Sequence, residues 1–195
     1  MRIFQKQVKQ LSDEELMKLL SKGNQKAFDE IYLRYSDVLF GYFMKMLARD
    51  KEKCEDMVHD LFAKIIRKPD YFNVNRSFRT WVFSVACNMC KNEYKRMSVR
   101  KHVSNDFEPT KSLQAESDTL KKVHESTFSE SFYKALNALD EKHKNVFALR
   151  HFEGLSMKEI AETLEINEGT VKSRLFYATK TLAKELKEFN PIYNQ

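Results

Sequence analysis

Residues 146–176, VFALRHFEGLSMKEIAETLEINEGTVKSRLF, decide how the chain folds. Ser156 followed three residues later by Glu159 is a capping-box pair, which starts a helix by satisfying two amides that would otherwise lack partners. Met157, Ile160, Ala161 and Leu164 give that helix an apolar stripe at helical spacing. Glu165, Ile166 and Asn167 turn the chain into a last helix, whose core stripe is Val171, Leu175, Ala178, Leu182 and Leu186. Lys172, Ser173, Phe176, Tyr177 and Lys180 fall on its other faces. A helix, a tight turn and a second helix with polar and basic residues near its start form a helix-turn-helix pattern. A helix that reads duplex DNA offers such side chains to base edges while Lys and Arg hold phosphates, which singles out Lys172, Ser173 and Arg174. The competing reading is an ordinary helical hairpin with a solvated face.

Upstream of this unit, Phe132, Leu136 and Leu139 mark one short helix and Val146, Phe147, Leu149 and Phe152 another. Residues 104–130 break the pattern. They are acid- and serine-rich, contain Pro109 and lack periodicity, so they read as a flexible, net-negative linker. The first half restores helical spacing, beginning with Ser12 and Glu15 as a second capping box and Asn24 as a further cap. A long helix carries Phe28, Ile31, Tyr35, Leu39, Tyr42, Phe43 and Met46, and another carries Cys54, Met57, Val58, Leu61, Phe62 and Ile65 up to Pro69. Ser77 caps a fourth with Phe78, Trp81, Val82, Val85, Ala86 and Met89 on its buried face. With only 4 Gly and 3 Pro beside 42% apolar residues, turn formers are too few for a sheet-rich fold. The expected fold is all-α: a helical domain over residues 1–97, a flexible linker over 98–130 and a helix-turn-helix domain over 131–195.

The formal net charge of +6 lies entirely in the first half, and the stretch 64–101 is strongly basic. Such a block attracts polyanions, nucleic acid foremost. Ser84, Asn88, Lys91, Asn92 and Lys95 share one face of the fourth helix, opposite its apolar stripe, where two amides among bases suit base edges beside phosphates. The loop residues Tyr71 and Phe72 are candidates to stack unpaired bases, whereas Phe78 and Trp81 read as core. Glu55, Asp56, His59 and Asp60 instead form an acidic face on the third helix, unsuited to DNA and open to a basic protein partner. Cys87 and Cys90, inside a periodic helix without a matching second pair, read as small core side chains rather than metal ligands or a redox couple. No phosphate-binding glycine loop, nucleophile elbow or zinc-protease pattern is present, and no catalytic residue, cofactor or metal is expected. The chain lacks a long apolar run and an apolar leader, so the expectation is a cytoplasmic protein without membrane insertion.

Three ordered segments, CEDMVHDLFAKII (54–66), FRTWVFSVACNMCKNEYKR (78–96) and VFALRHFEGLSMKEIAETLEINEGTVKSRLF (146–176), resemble the extracytoplasmic-function subfamily of sigma-70 RNA polymerase sigma factors. The resemblance implies that Glu55, Asp56, His59 and Asp60 dock on the β′ clamp of the bacterial RNA polymerase core, with the β flap as a further partner surface. It implies that Asn88 and Asn92, with Lys91, Lys95, Tyr71 and Phe72, hold unpaired minus-10 promoter DNA. It assigns Lys172, Ser173, Arg174, Phe176 and Tyr177 to the helix that reads the minus-35 duplex, the acidic linker to polymerase channels, and an anti-sigma factor as partner. The chain departs from the family pattern at His59, where Gln is usual, at Glu165, where the turn often has Gly, and at Tyr177 and Thr179, where bases are common. The rival readings are a stand-alone helix-turn-helix regulator and a metal-dependent redox sensor built on Cys87 and Cys90.

Overall fold

The computed structural model describes residues 8–48, 50–103 and 120–189, and among these every regular element is helical. The first half comprises α1 (Asp13–Leu20), α2 (Gln25–Met46), α3 (Lys51–Arg67), a single 3₁₀ turn (Pro69–Tyr71) and α4 (Phe78–Val103). The second comprises α5 (Leu120–Ala138), α6 (Glu141–His151), α7 (Met157–Leu164) and α8 (Glu168–Glu185). Local chemistry sets the boundaries. Ser12 and Ser156 form complete capping boxes with Glu15 and Glu159, and the side chains of Asn24, Asp50, Asp140 and Asn167 accept amides at the starts of α2, α3, α6 and α8.

Helix occupies both ends of the segment 98–130. Helix α4 runs on to Val103, with Lys95, Arg96, Met97 and Arg100 exposed, and α5 starts at Leu120. The rest of that expected linker, residues 104–119, lies outside the described residues.

In the first half, Ile31, Leu39 and Phe43 of α2, Leu61 and Ile65 of α3 and Phe78 and Phe83 of α4 close an apolar core with Leu16 and Met17 of α1. Arg34 binds Asp13 at 2.8 Å and Glu30 at 2.9 Å, fixing α1 against α2. The second half packs Ala135, Leu136, Leu139, Phe147, Ala178 and Leu182 together.

The spacing places each half around its own core; the structure joins them. One apolar cluster runs from the first half through Val146, Ala148, Leu149, Leu155, Ile160 and Val171 of the second. Helix α7 lies against α4, and α6 against α2. Polar bonds stitch this contact: the Tyr42 hydroxyl donates to Asn145 Oδ1 at 2.5 Å, and Lys144 Nζ donates to the Met46 carbonyl at 2.9 Å. Lys45 reaches Glu153 at 3.2 Å, and Arg79 donates to the Glu153 carbonyl.

Candidate nucleic-acid interface

Three surfaces bear the expected functional side chains. On α3, Glu55, Asp56, His59 and Asp60 are all exposed, because Cys54, Met57, Val58 and Leu61 take the buried positions between them. Lys51 lies 3.6 Å from Glu55, one turn away on the same helix. Beside it, between α2 and α3, an open cleft of about 390 Å³ is lined by Tyr32, Asp37, Phe40, Lys51, Glu55 and His59.

The second surface is the outer face of α4. Asn88, Lys91, Asn92 and Lys95 are exposed and Ser84 is half-buried, while Val82, Phe83, Ala86, Cys87 and Cys90 face inward. The helix thus presents two amides and two ammonium groups along one solvated stripe, a combination fitted to bases and phosphates together. Tyr71, in the 3₁₀ turn that precedes α4 in the chain, is 69% exposed, with Lys68 Nζ 4.7 Å above its ring and bonded to its hydroxyl at 2.6 Å. Lys68 escaped the sequence reading, although its position three residues before an exposed tyrosine carries the signal.

Phe72 is not available for stacking, contrary to expectation. It is 4% exposed, because the 3₁₀ turn folds its backbone amide back onto the Pro69 carbonyl and drives the ring into the core. There it meets Phe78 edge-on at 5.4 Å and Trp81 at 5.3 Å.

The third surface is α8. Asn167 accepts from the Thr170 amide at 2.7 Å, which sets the helix start, and Lys172, Ser173, Phe176 and Tyr177 stand exposed beyond it. Ser173 donates back to the Thr170 carbonyl at 3.0 Å. Phe176 and Tyr177 are 62% and 56% exposed, with ring centroids 5.5 Å apart. Arg174 stands apart from them: it is half-buried and lines an open cleft between α7 and α8 with Lys158, Glu162, Glu165 and Glu168. Glu165 adopts φ 54° and ψ 46°, the left-handed conformation a turn this tight demands.

The cysteines belong to the core. Cys54, Cys87 and Cys90 are buried, and burial pushes the Cys54 and Cys87 thiols up to about 12. The thiolate that metal binding or redox exchange requires is therefore strongly disfavoured. Cys87 Sγ lies 3.1 Å from the Tyr42 hydroxyl. No described helix is long and apolar enough to cross a membrane.

A helical lobe with a basic, amide-bearing stripe, next to a helix-turn-helix lobe, defines a DNA-binding protein of transcription. The family model for sigma-70 region 2 matches residues 31–99, and that for sigma-70 region 4 matches residues 129–182. Among curated relatives, RNA polymerase sigma-H factor of Pseudomonas aeruginosa is 26% identical over 184 residues, 91% of this chain and 95% of that protein. The ECF RNA polymerase sigma factor SigW of Bacillus subtilis is 27% identical over 179 residues, 88% of this chain and 95% of that one. The ECF sigma-E factor of Escherichia coli K12 is 28% identical over 181 residues, 89% and 93% of the two chains. Two solved structures share the fold. The sigma factor RpoE of Bartonella quintana, in complex with the anti-sigma factor NepR, gives a TM-score of 0.68 at 24% identity, covering 83% of this chain and 98% of its own. CnrH in complex with the cytosolic domain of CnrY gives 0.67 at 21% identity, covering 91% and 99%. The chain belongs to the sigma-70 family of RNA polymerase sigma factors, in its extracytoplasmic-function group.

Proposed function

We propose that this chain is an alternative sigma factor whose exposed surfaces divide the work of starting transcription. The acidic face of Glu55, Asp56, His59 and Asp60 docks on the clamp of core RNA polymerase, where a basic counterpart would be drawn to it. Asn88 and Asn92 capture unpaired minus-10 bases, Lys91 and Lys95 hold the strand's phosphates, and Tyr71 stacks a base at the end of that stripe. Lys172, Ser173, Phe176 and Tyr177 read the minus-35 duplex in the major groove, and Arg174 contributes from the cleft side of the same helix. Tyr177, standing where the family often has a base, offers no cation to a phosphate at that point.

One observation carries this reading: the amide and ammonium stripe of α4 is exposed on the face opposite a fully sealed core, in a chain that also bears a helix-turn-helix. Sigma factors act by binding, and the chain supplies no chemistry of its own. Its place is the cytoplasm, beside promoter DNA and polymerase. An anti-sigma factor is the regulatory partner that suits it, because RpoE of Bartonella quintana, whose fold it shares, is seen in complex with the anti-sigma factor NepR.

In the closed form α7, the first helix of the helix-turn-helix, is seated on α4. The two DNA-contacting lobes must part to span two promoter elements, and polymerase, holding one lobe on the clamp and the other on the flap, sets their separation. Two weak modules on one scaffold gain effective concentration, so the free chain binds DNA poorly. The test is a gel shift and run-off transcription with and without core polymerase, on fragments the holoenzyme selects from genomic DNA. Specific initiation only with core enzyme supports the reading. Tight operator binding by the chain alone identifies a stand-alone regulator instead.

A further inference from the structure

Thr80 is the third residue of α4 and 8% exposed, and its hydroxyl is buried without a hydrogen-bond partner. Its backbone is fully engaged: the amide donates to Ser77 Oγ at 3.3 Å, and the carbonyl accepts from Thr163 Oγ1 of α7 at 3.5 Å. Thr163 therefore covers Thr80 yet offers its hydroxyl to the carbonyl rather than to the side chain. An unpaired buried hydroxyl works against the contact that buries it.

The position of Thr80 on the helix gives that hydroxyl a use. Ser84 follows at i+4, Asn88 at i+8 and Lys91 at i+11, so Thr80 continues the solvated stripe towards the start of α4, about 12 Å along the axis from Asn88. Exposure along the stripe falls from Asn88, which is open, through Ser84, which is half-buried, to Thr80, which lies under α7. Helix α7 of the other half lies over this end, with Thr163 at the Thr80 carbonyl. Tyr42 with Asn145, Lys144 with Met46, and Glu153 with Lys45 and Arg79 hold it there.

We propose that Thr80 is a further contact for the unpaired promoter strand, masked by α7 while the halves are closed and uncovered when they part. This rests on the sigma-factor reading of the α4 stripe. Once α7 lifts, the Thr80 hydroxyl gains a polar partner on single-stranded DNA, and the strand held by Asn88 and Asn92 extends towards Tyr71. The same group that disfavours closure then favours the promoter-bound state, which biases the chain towards opening on DNA.

The experiment measures how tightly the full chain, assembled with core polymerase, retains fork-junction DNA that is already unpaired at minus 10. Thr80→Val keeps the shape and removes the hydroxyl; Thr80→Ser keeps the hydroxyl. The expected result is a loss of retention of about five-fold for Thr80→Val, the scale of one lost hydrogen bond, with Thr80→Ser close to wild type. Dyes on the two halves report closure of the free chain, and Thr80→Val is expected to be more closed than wild type. Undiminished retention by Thr80→Val overturns the proposal, as does a matching loss in Thr80→Ser, which would mark the site as packing alone. A wild-type complex that fails to hold the fork overturns the sigma-factor reading as well; a wild-type complex that holds it equally with Thr80→Val overturns this proposal only.

Discussion

The Tyr42 hydroxyl donates to Asn145 Oδ1 across 2.5 Å, in the middle of the contact that joins the two halves. Tyr42 is fully buried and Asn145 is 6% exposed, so the Asn145 Oδ1 takes its bond from the Tyr42 hydroxyl out of reach of solvent, while that hydroxyl also lies 3.1 Å from Cys87 Sγ. Tyr42→Phe preserves the ring and leaves Asn145 buried with a weakened set of bonds, at a cost to closure of about 1–3 kcal/mol. The halves of this variant part more often, and, on the proposal that polymerase engages the parted form, its apparent affinity for core enzyme is expected to rise. Fluorescence transfer between the halves, read beside a core-binding titration, checks both effects.

Closure is expected to depend on pH through Lys144. Burial lowers its pKa to about 8, and its ammonium bonds the Met46 carbonyl at 2.9 Å and Asn137 Oδ1 at 2.7 Å. Above that pH the closed form holds Lys144 neutral, while the parted form keeps the proton up to the ordinary lysine range of about 10.4. The parted state binds more protons in that window, so closure strengthens as pH rises through it and carries its full penalty below it. Fluorescence transfer followed from pH 7 to 10 should increase with pH in wild type and flatten in Lys144→Met.

Glu165 holds a left-handed backbone at φ 54°, and glycine adopts that conformation without the side-chain clash. Glu165→Gly is expected to stabilise the helix-turn-helix by about 1 kcal/mol, visible as a higher melting temperature.

Tyr71 and Phe72 are neighbours with opposite fates, one 69% and the other 4% exposed. Phe72→Ala should cost about 3–5 kcal/mol of stability through the cavity it leaves beside Phe78 and Trp81. Tyr71→Ala should leave thermal unfolding unchanged and weaken retention of pre-melted DNA by about 1–3 kcal/mol, the value of one stacked base. Paired melting curves and fork-DNA titrations of the two variants separate these roles.

The contrast between these two rings shows where sequence stops being informative. Helix starts at Ser12, Ser77 and Ser156 and the stripes on α2, α3 and α8 follow from local chemistry and 3.6-residue spacing, which is why they were readable. So was the stripe of Asn88, Lys91, Asn92 and Lys95, since a helix with one sealed face must expose the other. Phe72 went astray because a 3₁₀ turn, not a periodic element, aims it. Lys144 and Asn145 look like surface residues until Tyr42 and Met46 of the other half supply their partners. Thr80 looks like helix surface until α7 covers it. Contacts between distant segments leave no periodic trace, so the closed arrangement, and every residue whose role depends on it, came only from the structure.

The central claim is that the α4 stripe traps unpaired promoter bases once the chain is seated on core polymerase. Permanganate reactivity of thymines around minus 10 tests it most directly, with the Asn88→Ala, Asn92→Ala double variant compared with wild type on the same promoter. The account predicts that both proteins bind core polymerase equally and that only wild type makes those thymines reactive. Full reactivity with the double variant, or a wild-type chain that does not associate with core polymerase at all, would contradict it.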